Sequence, residues 1–196
     1  MSTTFVPVTI QTVPAAQRES AVMTLVAAFA TDPVARWAYP DAATYLAGFP
    51  AFTRAFAGRA FTHNTAFMTD NAAAMWLPPG VEPDADGLVA CMQQTVPALR
   101  QTELFGLMDQ MAQFHPIEPH WYLPMIGTDP TCQGLGLGSA LLRHTLTMCD
   151  RDRLPAYLES SNPRNVSLYE RHGFVRTGII QYGSSPMMTT MLRRPR

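Results

Sequence analysis

Glycines recur at alternate positions in Gln133-Gly134-Leu135-Gly136-Leu137-Gly138, between an apolar run and an amphipathic one. With no side chains in the way, backbone N–H groups there can close on an anion. A following helix adds unpaired N–H groups and the positive end of its dipole. The chemistry is phosphate binding, and a pyrophosphate fits best. A dinucleotide loop wants G-x-G-x-x-G, whereas the glycines here run G-x-G-x-G and Ser139 stands where the third would fall. Glu159 is the nearest acidic residue that could end a second strand as a ribose ligand, so the dinucleotide reading is disfavoured. A Walker loop fails outright, because it needs a lysine and this chain has none.

The elements around that loop are readable from pattern. His120 to Thr128 reads as a strand, Gly134 to Met148 as a helix with Leu141, Leu142 and Leu146 on one face, and Ala156 to Ser160 as a second strand. Asn165 to Arg171 is a short helix with Asn165 as its N-cap, followed by strands near Phe174–Gln181 and Met187–Leu192. Upstream, Phe5–Ile10 alternates like an edge strand, and a helix opens at Pro14-Ala15-Ala16 and stops at Thr31-Asp32-Pro33. Short helical stretches follow at Val34–Tyr39 and Ala42–Ala57, the latter broken or kinked by Pro50. Thr65–Thr69 and Ala72–Leu77 form a hairpin around Asp70-Asn71. Between Asp84 and Phe114 the apolar spacing predicts two helices split near Pro97, a helical insertion at about residues 81–116. One domain over residues 1–196 accounts for the whole pattern.

Composition narrows the function. The chain has 196 residues, 47% of them hydrophobic and 15% charged, with net charge −1. That is enough chain for a sizeable core and too apolar for long disorder. All 14 basic residues are arginine, which excludes a Schiff-base or lysine-nucleophile enzyme. Near-neutral charge without a basic cluster argues against nucleic acid. Cys91, Cys132 and Cys149 form no C-x-x-C pair, and the five histidines have no metal-type spacing, so no metal is assigned. With no signal-type segment at Met1–Pro14 and no membrane-length apolar run, the expectation is a cytoplasmic protein that does not engage a membrane. A lysine-free, Ala/Arg/Pro-rich composition fits a GC-rich bacterial genome.

What remains for the loop is the pattern Q-x-x-G-x-G, by which Gln133 and the glycines would grip the pyrophosphate of coenzyme A. With Asp129-Pro130 just upstream, and Asn162 followed by Tyr169-Glu170-Arg171-His172-Gly173-Phe174 downstream, the sequence resembles the GNAT superfamily of acyl-CoA-dependent N-acetyltransferases. Two motifs in the right order with a strand between them are more specific than either glycine run alone. The resemblance covers His120 to Phe174 and extends more loosely to Leu192. Within it, His120-Trp121-Tyr122-Leu123, Leu158-Glu159-Ser160-Ser161 and Met75-Trp76-Leu77-Pro78-Pro79-Gly80 look most like the puromycin N-acetyltransferase-like group. That likeness does not make puromycin the substrate.

The resemblance implies an α/β fold: a mixed, twisted sheet with splayed central strands and helices on both faces. The pantetheine arm of acetyl-CoA would bond to backbone at Ile126, Gly127 and Thr128. Gln133, Gly134, Leu135, Gly136, Leu137, Gly138 and Ser139 would hold the phosphates, and Asn162 would bond the coenzyme or its strand end. Tyr169 is expected to protonate the departing thiolate, since thiol and phenol acidities lie within about two units. The base that deprotonates the amine is left between Glu159 and His120, with Glu118 sharing the parity of His120 and Tyr122. Glu159 is preferred, because a carboxylate in a mostly apolar core needs a reason to be there. Phe29, Trp37, Tyr39, Trp76 and the methionines between Asp84 and Phe114 are candidates for an acceptor pocket.

The expected activity is transfer of an acetyl group from acetyl-CoA to an amine of a small molecule by direct attack. Alternatives are acetylation of a peptide or protein, and a non-catalytic acyl-CoA-binding sensor. With few acidic residues nearby, a monoamine is preferred to a polycation. A homodimer is compatible with the sequence, which does not fix the oligomeric state.

Overall fold

The computed structural model describes residues 8–196, so Phe5, Val6 and Pro7 of the expected first strand lie outside the described residues. The first paired strand is β1, Gln11–Thr12. Helices α1 (Arg18–Ala28), α2 (Pro33–Ala38), α3 (Ala42–Ala57) and α4 (Arg59–Thr62) follow. The hairpin strands β2 (Ala66–Thr69) and β3 (Ala72–Leu77) come next, then α5 (Ala85–Thr95) and α6 (Ala98–Phe114). The remaining elements are β4 (Trp121–Thr128), α7 (Leu137–Asp152), β5 (Ala156–Ser160), α8 (Val166–Arg171), β6 (Val175–Ile180) and β7 (Met188–Arg193).

The seven strands form one sheet in the order β1-β2-β3-β4-β5-β7-β6. Every neighbouring pair is antiparallel except β4 and β5. Those two parallel strands pair only at Trp121↔Ala156 and Tyr122↔Tyr157, although both run several residues further. The middle of the sheet therefore opens into a wedge beyond Tyr122 and Tyr157. On the β5 side of that wedge, the backbone of Ile126, Gly127 and Thr128 has no strand partner, while the other edge of β4 pairs with β3.

Strand parity divides the core. Met75 and Leu77 of β3 pack with α1, α3, α5 and α6. Ala74 and Trp76 face the other way, onto α7. On β4 the alternation slips. Between Leu77↔Tyr122 and Met75↔Met125 the register shifts, which puts an extra β4 residue into the ladder at Leu123–Met125. Pro124, without an N–H to contribute, sits at that bulge. The expectation of unbroken period-two alternation along this strand fails there, and the bulge re-aims the residues that follow.

Two helix boundaries also move. Helix α3 runs through Pro50 without interruption; the carbonyl that proline leaves unbonded belongs to Leu46, which is 60% exposed and can bond water. Helix α7 starts at Leu137 rather than Gly134, because Gly134 and Gly136 both adopt φ 80°, in the left-handed region. It continues to Asp152, past the expected end at Met148.

Candidate active site

The glycine loop forms the outer rim of the wedge. Gln133 to Gly136 are exposed, and no atom lies within reach of a side chain built on Gly134 or Gly136. Gly136 caps α7 without any side-chain hydrogen bond, so the first-turn N–H groups of a 16-residue helix are left free of a side-chain acceptor. This open cradle beside unpaired β4 backbone fits a pyrophosphate with an extended arm. Gly127 answers a different demand: a Cβ there would fall on Ala28 Cβ, because α1 packs directly on β4. Ser139, in the first turn of α7, shares a 2.7 Å hydrogen bond with His172 Nε2. Asn162 accepts from the Arg164 N–H at 3.1 Å and so closes its own turn. That bond replaces the expected cap at Asn165, whose side chain makes no cap bond and whose backbone is already helical.

Below the rim lies a cleft of about 900 Å³, counting the solvent at its mouth. Its walls are mainly apolar: Phe49, Phe52 and Phe56 from α3, Leu107, Met108 and Met111 from α6, and Pro124 at the bulge. Phe29 and Tyr39 line it as expected from the sequence. Trp37 and Trp76 do not. Trp37 donates its indole N–H to Ser184 Oγ at 3.1 Å under the Arg100 guanidinium. Trp76 is fully buried on the far face of the sheet, because its parity on β3 is opposite to that of Met75 and Leu77.

Glu159, Tyr169 and Asp32 line the cleft together. The Glu159 side chain is 2% exposed, and its Oε1 has no hydrogen-bond partner. Tyr169 packs edge-on against Phe174 and is buried. Burial pushes its phenol well above the usual tyrosine range, and the nearby charge of Asp32 adds to the effect. The near-match of phenol and thiol acidities expected from sequence is therefore wider in this environment, and Tyr169 holds its proton firmly. Asp32 is satisfied: Oδ1 accepts from the Val34 and Ala35 N–H groups and Oδ2 from the Ser161 hydroxyl.

His120 is not in the cleft. It lies at the strand start, with Nδ1 2.9 Å from the Glu118 carbonyl and Nε2 3.2 Å from His115 Nδ1. Burial lowers its pKa. Glu118 turns to the surface and pairs with Arg194. His115, which no local pattern singled out, stands with Nε2 3.3 Å from Glu159 Oε1, between the rings of Tyr122 and Tyr157. Glu159 and Tyr157 are remote from it in the chain, so only the tertiary packing at the end of α6 could have found that contact. Asp32 had a usable signal, since an Asp-Pro step before an apolar run marks a helix N-cap. Among the described residues, no group of three or more His, Cys, Asp or Glu is arranged to hold a metal ion.

Residues 66–174 match the model of the Acetyltransferase (GNAT) family. An uncharacterized N-acetyltransferase of Schizosaccharomyces pombe is 32% identical over 93 residues, covering 47% of this chain and 35% of that protein. A mycothiol acetyltransferase of Thermomonospora curvata is 38% identical over 98 residues, covering 45% and 30%. The matches thus span about a third of the length of these curated relatives. Among solved structures, histone acetyltransferase HPA2 and related acetyltransferase from Corynebacterium glutamicum superposes with TM-score 0.69 at 26% identity, covering 97% of this chain and 98% of that one. Arylalkylamine N-acetyltransferase 2 from Aedes aegypti shares the fold at TM-score 0.67 and 10% identity, covering 97% and 100%. The resemblance to the puromycin N-acetyltransferase-like group has no counterpart among these matches.

Proposed function

We propose that this chain, which belongs to the Acetyltransferase (GNAT) family, carries the acetyl group of acetyl-CoA to the nitrogen of a small, largely apolar monoamine. One observation carries the choice of acceptor: Glu159 is a buried carboxylate with an unpartnered oxygen at the end of an apolar cleft. A carboxylate in such surroundings calls for a cation or a proton. The other acid in the cleft, Asp32, already serves an α2 helix start and Ser161. That leaves Glu159, whose Oε1 has no hydrogen-bond partner and has His115 Nε2 3.3 Å away, as the carboxylate for one ammonium group, with aromatic and methionine walls for the rest of the molecule.

Acetyl-CoA supplies an activated acyl group and a thiolate leaving group. On the protein side, the Gly134–Gly138 cradle and the α7 N-terminus hold the phosphates, and Ile126 to Thr128 offer backbone groups to the arm. Glu159 receives the proton that an ammonium must lose before its nitrogen can attack. Tyr169, on α8, keeps its hydroxyl proton until a basic sulfur is beside it. Direct attack is favoured over a covalent enzyme intermediate because, among the described residues, no cysteine lines the cleft. Cys91 and Cys149 are buried elsewhere, and the Ser160 and Ser161 hydroxyls are both committed to hydrogen bonds.

The test is thiol release from acetyl-CoA across a panel of arylalkylamines, alkylamines, polyamines and peptides. Turnover of apolar monoamines, lowered by two to four orders of magnitude in Glu159→Gln, is the expected result. Preference for polyamines or peptides would overturn the acceptor assignment. Silence across the whole panel would mark the chain as an acyl-CoA-binding sensor instead.

A further inference from the structure

We infer that Trp37, Arg100, Glu103 and Ser184 form a clasp that fixes the width of the cleft and so limits the size of the amine it accepts; this rests on the reading of the cleft as the site of an apolar monoamine. The clasp lies outside the cleft, and none of its four side chains lines it. It joins three elements that do. Val34, Ala35 and Ala38 of α2, Leu104 and Leu107 of α6, and Met188 at the start of β7 are all part of the cleft wall. Ser184 is thus a positioning residue, acting on the acceptor only through the helices it fastens.

Ser184 lies in the loop between β6 and β7, residues 181–187. Its hydroxyl has one proton to give and two lone pairs to receive with, and all three are used. It donates to Glu103 Oε2 at 2.7 Å, and accepts from Arg100 Nη1 at 2.6 Å and from the Trp37 indole N–H at 3.1 Å. The Ser184 backbone N–H donates to Glu103 Oε1 at 3.1 Å, and Arg100 closes the ring on Glu103 Oε2 at 3.0 Å. The guanidinium of Arg100 also stands 4.9 Å from the centre of the Trp37 ring, within cation–π range. Two glycines let the loop come this close to α6. A Cβ on Gly183 would meet the Glu103 carboxylate, and one on Gly106 would meet the Tyr182 ring.

Among the described residues, no other hydrogen bond joins α2 to α6 or to that loop. The first turn of α2 is held separately, by the Asp32 carboxylate and its bond from Ser161. A six-residue helix fastened at both ends cannot move its cleft side. Released at Trp37, it stays anchored at Asp32 and is free to swing away from α6. The side chains it gives to the cleft are short, Ala35 and Ala38 among them, so its backbone position sets how much room remains. An apolar pocket one methylene too small or too large discriminates by roughly 10–200-fold. Even a small movement of α2 is therefore readable in the choice of amine.

The test compares kcat/KM for phenethylamine and for the bulkier diphenylpropylamine at saturating acetyl-CoA. Ser184→Ala and Trp37→Phe should each shift the ratio toward the diphenyl amine by about tenfold. Ser184→Thr keeps the hydroxyl and should stay within about twofold of the wild-type ratio. A lesion that only loosens the fold lowers both amines together. An unshifted ratio in Ser184→Ala and Trp37→Phe therefore overturns the clasp and leaves the acceptor reading standing. A second arm needs no turnover. Trp76 and Trp121 are 0% and 4% exposed while Trp37 is half-buried, so acrylamide quenching of tryptophan fluorescence reports chiefly on Trp37. Quenching should rise in Ser184→Ala; if it does not, α2 keeps its place without Ser184 and the clasp is again overturned. Wild-type protein that acetylates neither amine overturns the acceptor reading, and the size limit with it.

Discussion

The Ser161 hydroxyl donates to Asp32 Oδ2 at 2.6 Å, joining residues 129 apart in the chain at the wall of the cleft. The same carboxylate caps α2 through Oδ1, so it ties α2 to the end of β5. Asp32→Ala should cost roughly 2–4 kcal/mol, the sum of a lost N-cap and a lost charge-assisted bond, read from urea midpoints. Burial raises the Asp32 carboxyl above the usual aspartate range, outweighing the hydrogen bonds that lower it. A raised native value means the native chain holds the extra proton, so this group's contribution is full at low pH and is lost as pH rises through the raised value. Stability of wild type relative to Asp32→Asn should therefore fall as pH rises from about 4 toward 7. A slope of the opposite sign would show that hydrogen bonding, not desolvation, dominates at this site.

Tyr169→Phe keeps the ring packed on Phe174 and removes only the hydroxyl. The expected effect is a kcat lower by about two orders of magnitude, with acetyl-CoA KM and the urea midpoint nearly unchanged. Turnover at the wild-type rate would remove Tyr169 from the general-acid role. Unchanged kcat with a raised acetyl-CoA KM would assign it to coenzyme contact instead.

Gly127→Ala places a methyl group on Ala28 Cβ and within 3.3 Å of Leu25 Cδ2. Overpacking of this kind costs about 1–3 kcal/mol. Ala28→Gly alone weakens α1 by about 1 kcal/mol. Combined, the two should be less harmful than their sum, with a favourable coupling of at least about 0.5 kcal/mol in a double-mutant cycle. Strict additivity would mean that α1 does not set the approach of β4, and a different contact would then have to hold that strand in place.

Much of the fold was legible because its signals are local. Asp70-Asn71 between two apolar runs placed the β2–β3 hairpin, and Pro97 split α5 from α6. The glycine loop was legible for the same reason, since left-handed backbone at Gly134 and Gly136 is a property of those residues and their immediate neighbours. Side-chain direction was less secure. Trp76 was expected at the acceptor pocket, but a single step of strand parity turned it to the opposite core. The bulge at Pro124 reversed the parity of everything after it on β4, which no count of alternating residues along one strand reveals.

By itself, then, the chain's sequence determined the elements and the left-handed glycine loop ahead of α7, because backbone dihedrals and hydrophobic period act over a few residues. Which groups meet inside the wedge was decided by tertiary structure alone. Glu159 lies on β5, His115 follows α6 and His120 precedes β4. Their contact depends on how α6 docks against the splayed strands, and the free energy of that docking is spread over the apolar surface of the whole cleft rather than written at any one residue.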